Sequence, residues 1–135
     1  MTPRVLAAFA LSYAVLTIPA LAQQATCTPP LAPMLRVEFY FGRNIVHHAP
    51  VGDRAWARFV TTELTPRFPG LTVLDAQGAW RDGKRELREP SKLVIVVMKD
   101  EPTTREAIVA VSDAYKRRFR QTSVGIVTQP VCAAF

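Results

Sequence analysis

The chain has 135 residues, with 17 lysines and arginines against 11 acidic residues, and two cysteines. Once a leader is set aside, this length leaves room for one domain of about 110 residues and excludes a second one. The net charge of +6 is too mild a basic excess to indicate a nucleic-acid partner.

The first 22 residues have the pattern of a secretory signal peptide. A single basic residue, Arg4, precedes an apolar run from Val5 to Ile18, and Pro19 ends that run before a small-residue cleavage site at Ala20–Ala22. The run is shorter than the about 20 apolar residues that a membrane span needs. We therefore predict export to the periplasm or the extracellular space and no membrane span after cleavage; an uncleaved anchor is the alternative.

Both cysteines lie in the mature part, Cys27 near its start and Cys132 near its end. An oxidising compartment favours pairing two such thiols. We predict a disulfide between them that ties the two ends of the domain together. Lipid attachment at Cys27 is the competing use.

The first strand and the first helix follow from the spacing of apolar residues. Alternation up to Gly42 predicts a strand whose apolar positions are Leu35, Val37, Phe39 and Phe41. From Asp53 to Leu64 apolar residues recur at helical spacing, Asp53 favours the helix N-terminus, and Thr65-Pro66 stops the helix.

A hairpin follows this helix. Residues 71–81 are predicted to form a strand with a bulge at Gly78, because glycine inside a strand pattern often marks one. Asp82-Gly83 turns the chain, and residues 86–98 return as a strand. The end of this returning strand, 93–98, is apolar at every position, so its two faces look alike.

A second helix and a last strand complete the chain. The spacing of Thr103 and Glu106 predicts a capping box at the helix start. The apolar face of this helix is predicted to contain Ile108, Val111, Ala114, Tyr115 and Phe119. The last strand is expected at about 123–128, before Pro130 and Cys132.

The order of elements is therefore βαββαβ. This order predicts an α+β, ferredoxin-like sandwich, with a four-stranded antiparallel sheet of order 4-1-3-2 and two helices on one face. Residues 23–33 are a proline-rich N-terminal arm, and 34–135 form the single domain. The strand order places the start of the first strand beside the end of the last, where the two cysteines lie.

Several blocks of the mature chain resemble a known family of small exported bacterial proteins, domain of unknown function 3574. The matching residues are Phe39 to Gly42, Trp56 with Phe59, the block from Thr65 to Arg81, Glu89 to Lys92, Tyr115, Phe119, and Gln121 to Val124. The resemblance implies no activity and no catalytic residues, since the family has none established. His47 and His48 stand where the family pattern favours glycine, which weakens any mechanism built on them.

Three connections are expected at one end of the sheet, and they collect basic side chains. The basic side chains expected at this end are Arg43, His47, His48, Arg81, Lys84, Arg85, Arg117, Arg118 and Arg120. Guanidinium groups bind anions through paired hydrogen bonds, and aromatic rings bind a flat or sugar-like body. The candidate ligand-binding residues are Arg43, Tyr40, Trp80, Arg81 and Arg120. The alternative is that these are solvated loop charges, with Arg117 and Arg118 complementing a helix C-terminus.

No catalytic motif, metal site or cofactor site is predicted. Adjacent histidines such as His47 and His48 point in opposite directions in extended chain, and no cysteine or acidic residue lies at ligand spacing. The favoured function is a non-enzymatic binding or interaction module of the cell envelope that prefers an anionic small molecule or envelope component. The alternative is a cofactor-independent enzyme of the dimeric α/β-barrel kind, acting on a small aromatic or carboxylated substrate.

The sheet face away from the helices is expected to be apolar. If Leu93, Ile95 and Val97 face the helices, then Val94, Val96 and Met98 face outward. A homodimer through this open sheet face is the favoured cover, and the N-terminal arm folding across it is the alternative.

Overall fold

The computed structural model describes residues 26–45 and 47–135. The predicted signal peptide, residues 1–22, and the first three residues of the predicted arm lie outside these ranges. No helix in the described ranges is long and apolar enough to cross a membrane.

Four antiparallel strands form one sheet, as predicted. They are β1 (Ala32–Gly42), β2 (Thr72–Asp82), β3 (Arg85–Met98) and β4 (Gly125–Ala133), and their order across the sheet is β2-β3-β1-β4. This is the predicted order 4-1-3-2 counted from the other edge. Strands β1 and β3 are therefore central, and β2 and β4 are the two edges.

Strands β1 and β4 are longer than the sequence pattern indicates. Strand β1 begins at Ala32, because Ala32 pairs with Ala133 and Pro33 pairs with Cys132. The predicted disulfide is confirmed: Cys27 is bonded to Cys132, with 5.6 Å between the two Cα atoms. The bond holds the segment before β1 against the end of β4.

The two helices occupy the predicted positions, with differences at their ends. Helix α1 (Asp53–Phe59) continues as a π-helical segment (Val60–Leu64), so the predicted span is helical throughout. Helix α2 (Pro102–Phe119) begins before the predicted capping box. That capping box is wrong, because Glu101 is the N-cap residue and no side chain caps it. Proline suits the first helical position, since its ring already fixes φ near the helical value.

Aromatic rings fill the space between the helices and the sheet. Phe41 of β1 is fully buried, and its ring centroid lies 5.4 Å from that of Trp56, 5.8 Å from that of Phe59 and 4.6 Å from that of Tyr115. The Tyr115 hydroxyl donates a hydrogen bond to the carbonyl oxygen of Gly42 at 2.8 Å. Burial raises the pKa of Tyr115 far above its usual range, so the phenol stays protonated.

The two faces of β3 are the reverse of the expected arrangement. Val94 pairs with Phe39 and Val96 with Val37, and directly opposite residues in a sheet point to the same face. Val94 and Val96 are therefore buried under the helices, and the partly buried side chains of Leu93, Ile95 and Val97 lie on the open face. The aromatic residues of β1 decide this choice, which the uniformly apolar sequence of β3 leaves open.

A polar network on β1 shares the open face with these apolar residues. Glu38 accepts hydrogen bonds from the Tyr40 hydroxyl at 2.6 Å and from Nε of Arg36 at 2.8 Å. The bond from Tyr40, followed by that from Arg36, lowers the pKa of the Glu38 carboxyl. The open face is thus less apolar than the sequence predicts, and the homodimer through it stays a prediction.

The predicted bulge at Gly78 is wrong. Strands β2 and β3 pair without interruption from Thr72 opposite Ile95 to Asp82 opposite Arg85. A Cβ on Gly78 would lie 3.7 Å from Cγ of Glu89, which is an ordinary contact, whereas a Cβ on Gly42 would lie only 2.6 Å from Oε1 of Glu89, so the close approach of the Glu89 side chain is at Gly42. At the hairpin tip Gly83 has φ of +57°, a conformation that glycine adopts without strain.

Tyr115→Phe is expected to lower the free energy of unfolding by about 1 kcal/mol, because it removes the hydrogen bond to Gly42 and keeps the ring. Urea denaturation measures this difference. Tyr40→Phe is the matched control, since Tyr40 is 43% exposed and should lose less than about 0.5 kcal/mol. A loss below about 0.5 kcal/mol in Tyr115→Phe would mean that the buried bond does not stabilise the fold.

Candidate functional site

The end of α2 and the loop after β1 form a small, open cavity with a basic lining. Its volume is about 250 Å³, and it is lined by Ile45, His48, Arg118, Phe119 and Arg120. We call this cavity the basic notch. All three polar side chains that line it are basic, and Ile45 and Phe119 supply apolar walls.

Arg43 closes the loop that forms one wall of the notch. Its Nε donates to the carbonyl oxygen of Val51 at 2.7 Å, and its Nη2 donates to Oδ1 of Asp53 at 2.8 Å. The backbone N–H of Val51 in turn donates to the carbonyl oxygen of Arg43 at 2.8 Å. The Arg43 side chain is only 15% exposed. Its guanidinium is therefore engaged within the protein and shapes the loop.

Two residues beside the notch have left-handed backbone conformations, although neither is glycine. His47 has φ of 60° in the loop, and Arg120 has φ of 53° directly after α2. This conformation costs a residue with a Cβ about 1–2 kcal/mol. Glycine is the usual residue at the end of a helix where such a conformation occurs. The backbone N–H of Gln121 donates to the carbonyl oxygen of Lys116 at 3.1 Å, so the left-handed residue Arg120 also ends the helix. Strained residues of this kind are concentrated at functional sites.

The side chain of Arg120 contacts His48 across the notch. Its Nη1 lies 3.1 Å from Nε2 of His48. A guanidinium can only donate hydrogen bonds, so a hydrogen bond between these two atoms has Arg120 as its donor. A second link fixes the same two segments, because Nε2 of Gln121 donates to the carbonyl oxygen of Asn44 at 2.7 Å. The loop and the helix end are thus held at a defined separation.

Arg118 forms the other basic wall. Its Nη1 donates to the Thr62 hydroxyl at 3.1 Å, and its guanidinium lies 5.6 Å from the ring centroid of Phe119. Among the ion pairs of residues 26–45 and 47–135, none joins Arg118 or Arg120 to a carboxylate. Both guanidinium groups therefore keep donors for an anion, which binds to such planar groups through paired hydrogen bonds.

The other predicted ligand-binding residues lie away from the notch. Tyr40 is on the open face, opposite Leu93 of β3, and Trp80 is also on that face, opposite Leu87. Leu93 and Leu87 are six positions apart on one strand, which is roughly 20 Å. Arg81 lies near the hairpin tip on the other face. The structure therefore brings Arg120 and His48 together, with Arg43 in the adjoining loop, and it separates Tyr40, Trp80 and Arg81 from them.

Of the five residues that line the notch, Arg120 was a candidate ligand-binding residue, His48 and Arg118 were in the wider basic group, and Ile45 and Phe119 were in neither. One feature of the sequence does point to the notch. Arg120 follows the last apolar position of α2, where glycine or asparagine commonly ends a helix. No group of three or more metal-ligating side chains occurs in the described part of the chain.

A family model described as "Protein of unknown function (DUF3574)" matches residues 36–135. None of the curated proteins matches the sequence.

Solved structures with low sequence identity share the fold. A phage SAM lyase in complex with S-methyl-5′-thioadenosine is 11% identical, with a TM-score of 0.57, and the match covers 76% of this chain and 90% of that one. The CutA1 protein of Oryza sativa is 8% identical, with a TM-score of 0.52, over 78% of this chain and 85% of that one. At these identities the likeness concerns the fold alone.

Proposed function

The chain belongs to the DUF3574 family of proteins of unknown function, and we propose from its own geometry that the domain is a non-enzymatic module that binds an anionic ligand in the basic notch. The observation that carries the proposal is Arg120. It has a strained backbone conformation at a position suited to glycine, and its guanidinium lines a cavity with Arg118 and His48.

The size of the notch limits its ligand. Its volume of about 250 Å³ is below the roughly 300–1,000 Å³ typical of drug-sized ligand sites. The notch is therefore suited to a small anion, or to the phosphate or carboxylate end of a larger molecule. Phe119 and Ile45 would contact the apolar part next to the charged group. S-methyl-5′-thioadenosine, which one fold neighbour contains, has no anionic group with which the two guanidinium groups could pair.

The packing between helices and sheet supports binding over catalysis in the cleft between these layers. That space holds the rings of Phe41, Trp56, Phe59 and Tyr115 in direct contact. Tyr40 lies outside this cleft on the open face, and His48 lies beside the end of α2.

We further propose that the domain acts outside the cytoplasm. The signal-peptide pattern of residues 1–22 and the disulfide between Cys27 and Cys132 support this location, since disulfides persist in oxidising compartments. The ligand would then be an anionic small molecule or an anionic component of the cell envelope.

Inorganic phosphate is the first probe, titrated calorimetrically into the disulfide-bonded protein. Arg118→Ala and Arg120→Gly should each weaken binding by about ten- to a hundredfold, because each removes charge-assisted hydrogen bonds worth roughly 1.5–3 kcal/mol. Arg85→Ala at the hairpin tip removes the same charge outside the notch and should leave the affinity unchanged. Unchanged affinity in Arg120→Gly, or equal weakening in Arg85→Ala, would contradict the proposal.

Thermal melting of the same variants distinguishes a binding role of Arg120 from a structural one. Glycine adopts the left-handed conformation without strain, so Arg120→Gly should melt at the wild-type temperature or above it. If Arg120 is a binding residue, the Arg120→Gly variant should therefore bind phosphate more weakly without being less stable. A clear fall in melting temperature would assign the Arg120 side chain to structure.

A further inference from the structure

A second, larger cavity lies at the opposite end of the sheet from the basic notch. Its volume is about 530 Å³, against about 250 Å³ for the notch. The notch adjoins the end of β1, whereas this cavity adjoins the end of β3 and the start of β1, where Val97 and Met34 line it. Since β1 and β3 are antiparallel, these places are at opposite ends of the molecule.

The cavity forms because neighbouring strands end at different positions along the sheet. The first residue of β2, Thr72, pairs with Ile95, so β3 continues past the end of β2. The segment before β2, which includes Leu71, forms a wall beside the free part of β3. Phe68 fixes that wall, because its side chain is 1% exposed and its ring centroid lies 5.7 Å from that of Phe39 in the core.

The disulfide joins the start of the described chain to β4 on the other side of the cavity, where β1 begins. Strand β4 runs beside β1 as far as Ala133, and Cys132 is bonded to Cys27. Phe135, two residues after Ala133, lies at the rim of the cavity, and its side chain is 96% exposed. An exposed aromatic ring beside an apolar cavity is the side chain placed to contact the apolar part of a ligand there.

The lining combines apolar side chains with one cation. Met34, Leu71, Ile95, Val97 and Phe135 supply apolar surface, and among the lining residues in the described part of the chain Lys99 has the charged side chain. The backbone of Lys99 is held, because its carbonyl oxygen accepts a hydrogen bond from the Thr104 hydroxyl at 2.8 Å. The nearest acidic neighbour in sequence, Asp100, is paired with Arg105. The Lys99 ammonium is in no ion pair of residues 26–45 and 47–135.

We propose that this cavity binds a small anionic amphiphile, a molecule with an apolar chain and a carboxylate head. The apolar lining takes the chain, and Lys99 at the edge of the cavity pairs with the head. The volume lies within the roughly 300–1,000 Å³ of small-molecule sites, and a few polar groups in a mostly apolar lining are typical of them. The site is separate from the basic notch, so either proposal can fail without the other.

Decanoate, titrated calorimetrically below its micelle concentration, tests the site, with 1-decanol as the uncharged comparison. Val97→Trp places a large side chain in the cavity and should weaken decanoate binding at least about tenfold, which is the effect of roughly 1.4 kcal/mol. It should leave phosphate binding in the notch unchanged. Unchanged decanoate affinity in a cooperatively folding Val97→Trp variant would overturn the proposal.

Substitutions of Lys99 keep the test decisive if Val97→Trp does not fold, because Lys99 is exposed. Lys99→Ala should weaken decanoate about three- to tenfold and leave 1-decanol unchanged, since an exposed charge contact contributes modestly. Lys99→Arg should retain the affinity, and Lys84→Ala at the hairpin tip is the matched control. The role of Lys99 would be overturned if Lys84→Ala weakened decanoate binding as much as Lys99→Ala, or if Lys99→Ala left decanoate binding unchanged. Absence of any decanoate binding to the wild-type protein would overturn the site.

Discussion

Phe41→Ala is expected to lower the free energy of unfolding by about 3–5 kcal/mol, the loss typical of truncating a buried aromatic side chain. Phe41 is fully buried, and its ring contacts both helices and its own strand, through Trp56, Tyr115 and Phe39. Truncation leaves a cavity among rings that cannot all move to fill it. Guanidinium chloride denaturation of the oxidised protein measures the loss.

The matched control for Phe41→Ala is Val109→Ala. Val109 is in α2, but its side chain is 59% exposed, so its truncation should cost less than about 0.5 kcal/mol. A loss below about 1.5 kcal/mol for Phe41→Ala would mean that the aromatic cluster does not carry the stability of the fold.

Replacing both Cys27 and Cys132 by alanine is expected to destabilise the domain by about 2–5 kcal/mol. The bond joins residues 105 positions apart, so its loss frees nearly the whole domain in the unfolded state. A loop of this size corresponds to about 4.7 kcal/mol in the chain-entropy model. Denaturation curves of the variant and of the wild-type protein, with and without reductant, measure the effect.

The reductant also shows whether the loss of stability comes from the missing bond or from replacing the cysteine side chains. Reduced wild-type protein should resemble the double variant, since both lack the bond. Coincident curves for oxidised and reduced wild-type protein would show that the bond does not stabilise the fold.

The order and pairing of the strands could be predicted because two independent patterns agree. The alternation in β1 and the helical spacing in α1 and α2 indicate βαββαβ, and the positions of Cys27 and Cys132 require adjacent ends of β1 and β4. The phase of β3 could not be predicted, since residues 93–98 are apolar at every position. Only pairing with Phe39 in the folded sheet decides which of them are buried.

The candidate site was predicted in part. The basic end of the fold was inferred from topology. The left-handed conformations of His47 and Arg120 beside the notch could not be predicted, because the spacing of apolar residues carries no information about them. The separation of Tyr40 from the arginines could be read from the sequence, because the alternation that buries Phe39 and Phe41 places Tyr40 on the other face. The hydrogen bonds of the Arg43 side chain to Val51 and Asp53 could not be predicted, because they depend on the conformation of the folded loop.

The most direct measurement is a titration of ¹⁵N-labelled, disulfide-bonded protein with inorganic phosphate, followed through the backbone amide signals. Binding in the basic notch predicts saturable shifts centred on Ile45, His48 and residues 118–121, with little change at the hairpin tip. Shifts spread over all exposed basic residues, or centred on Lys84 and Arg85, would contradict an anion site built around Arg120.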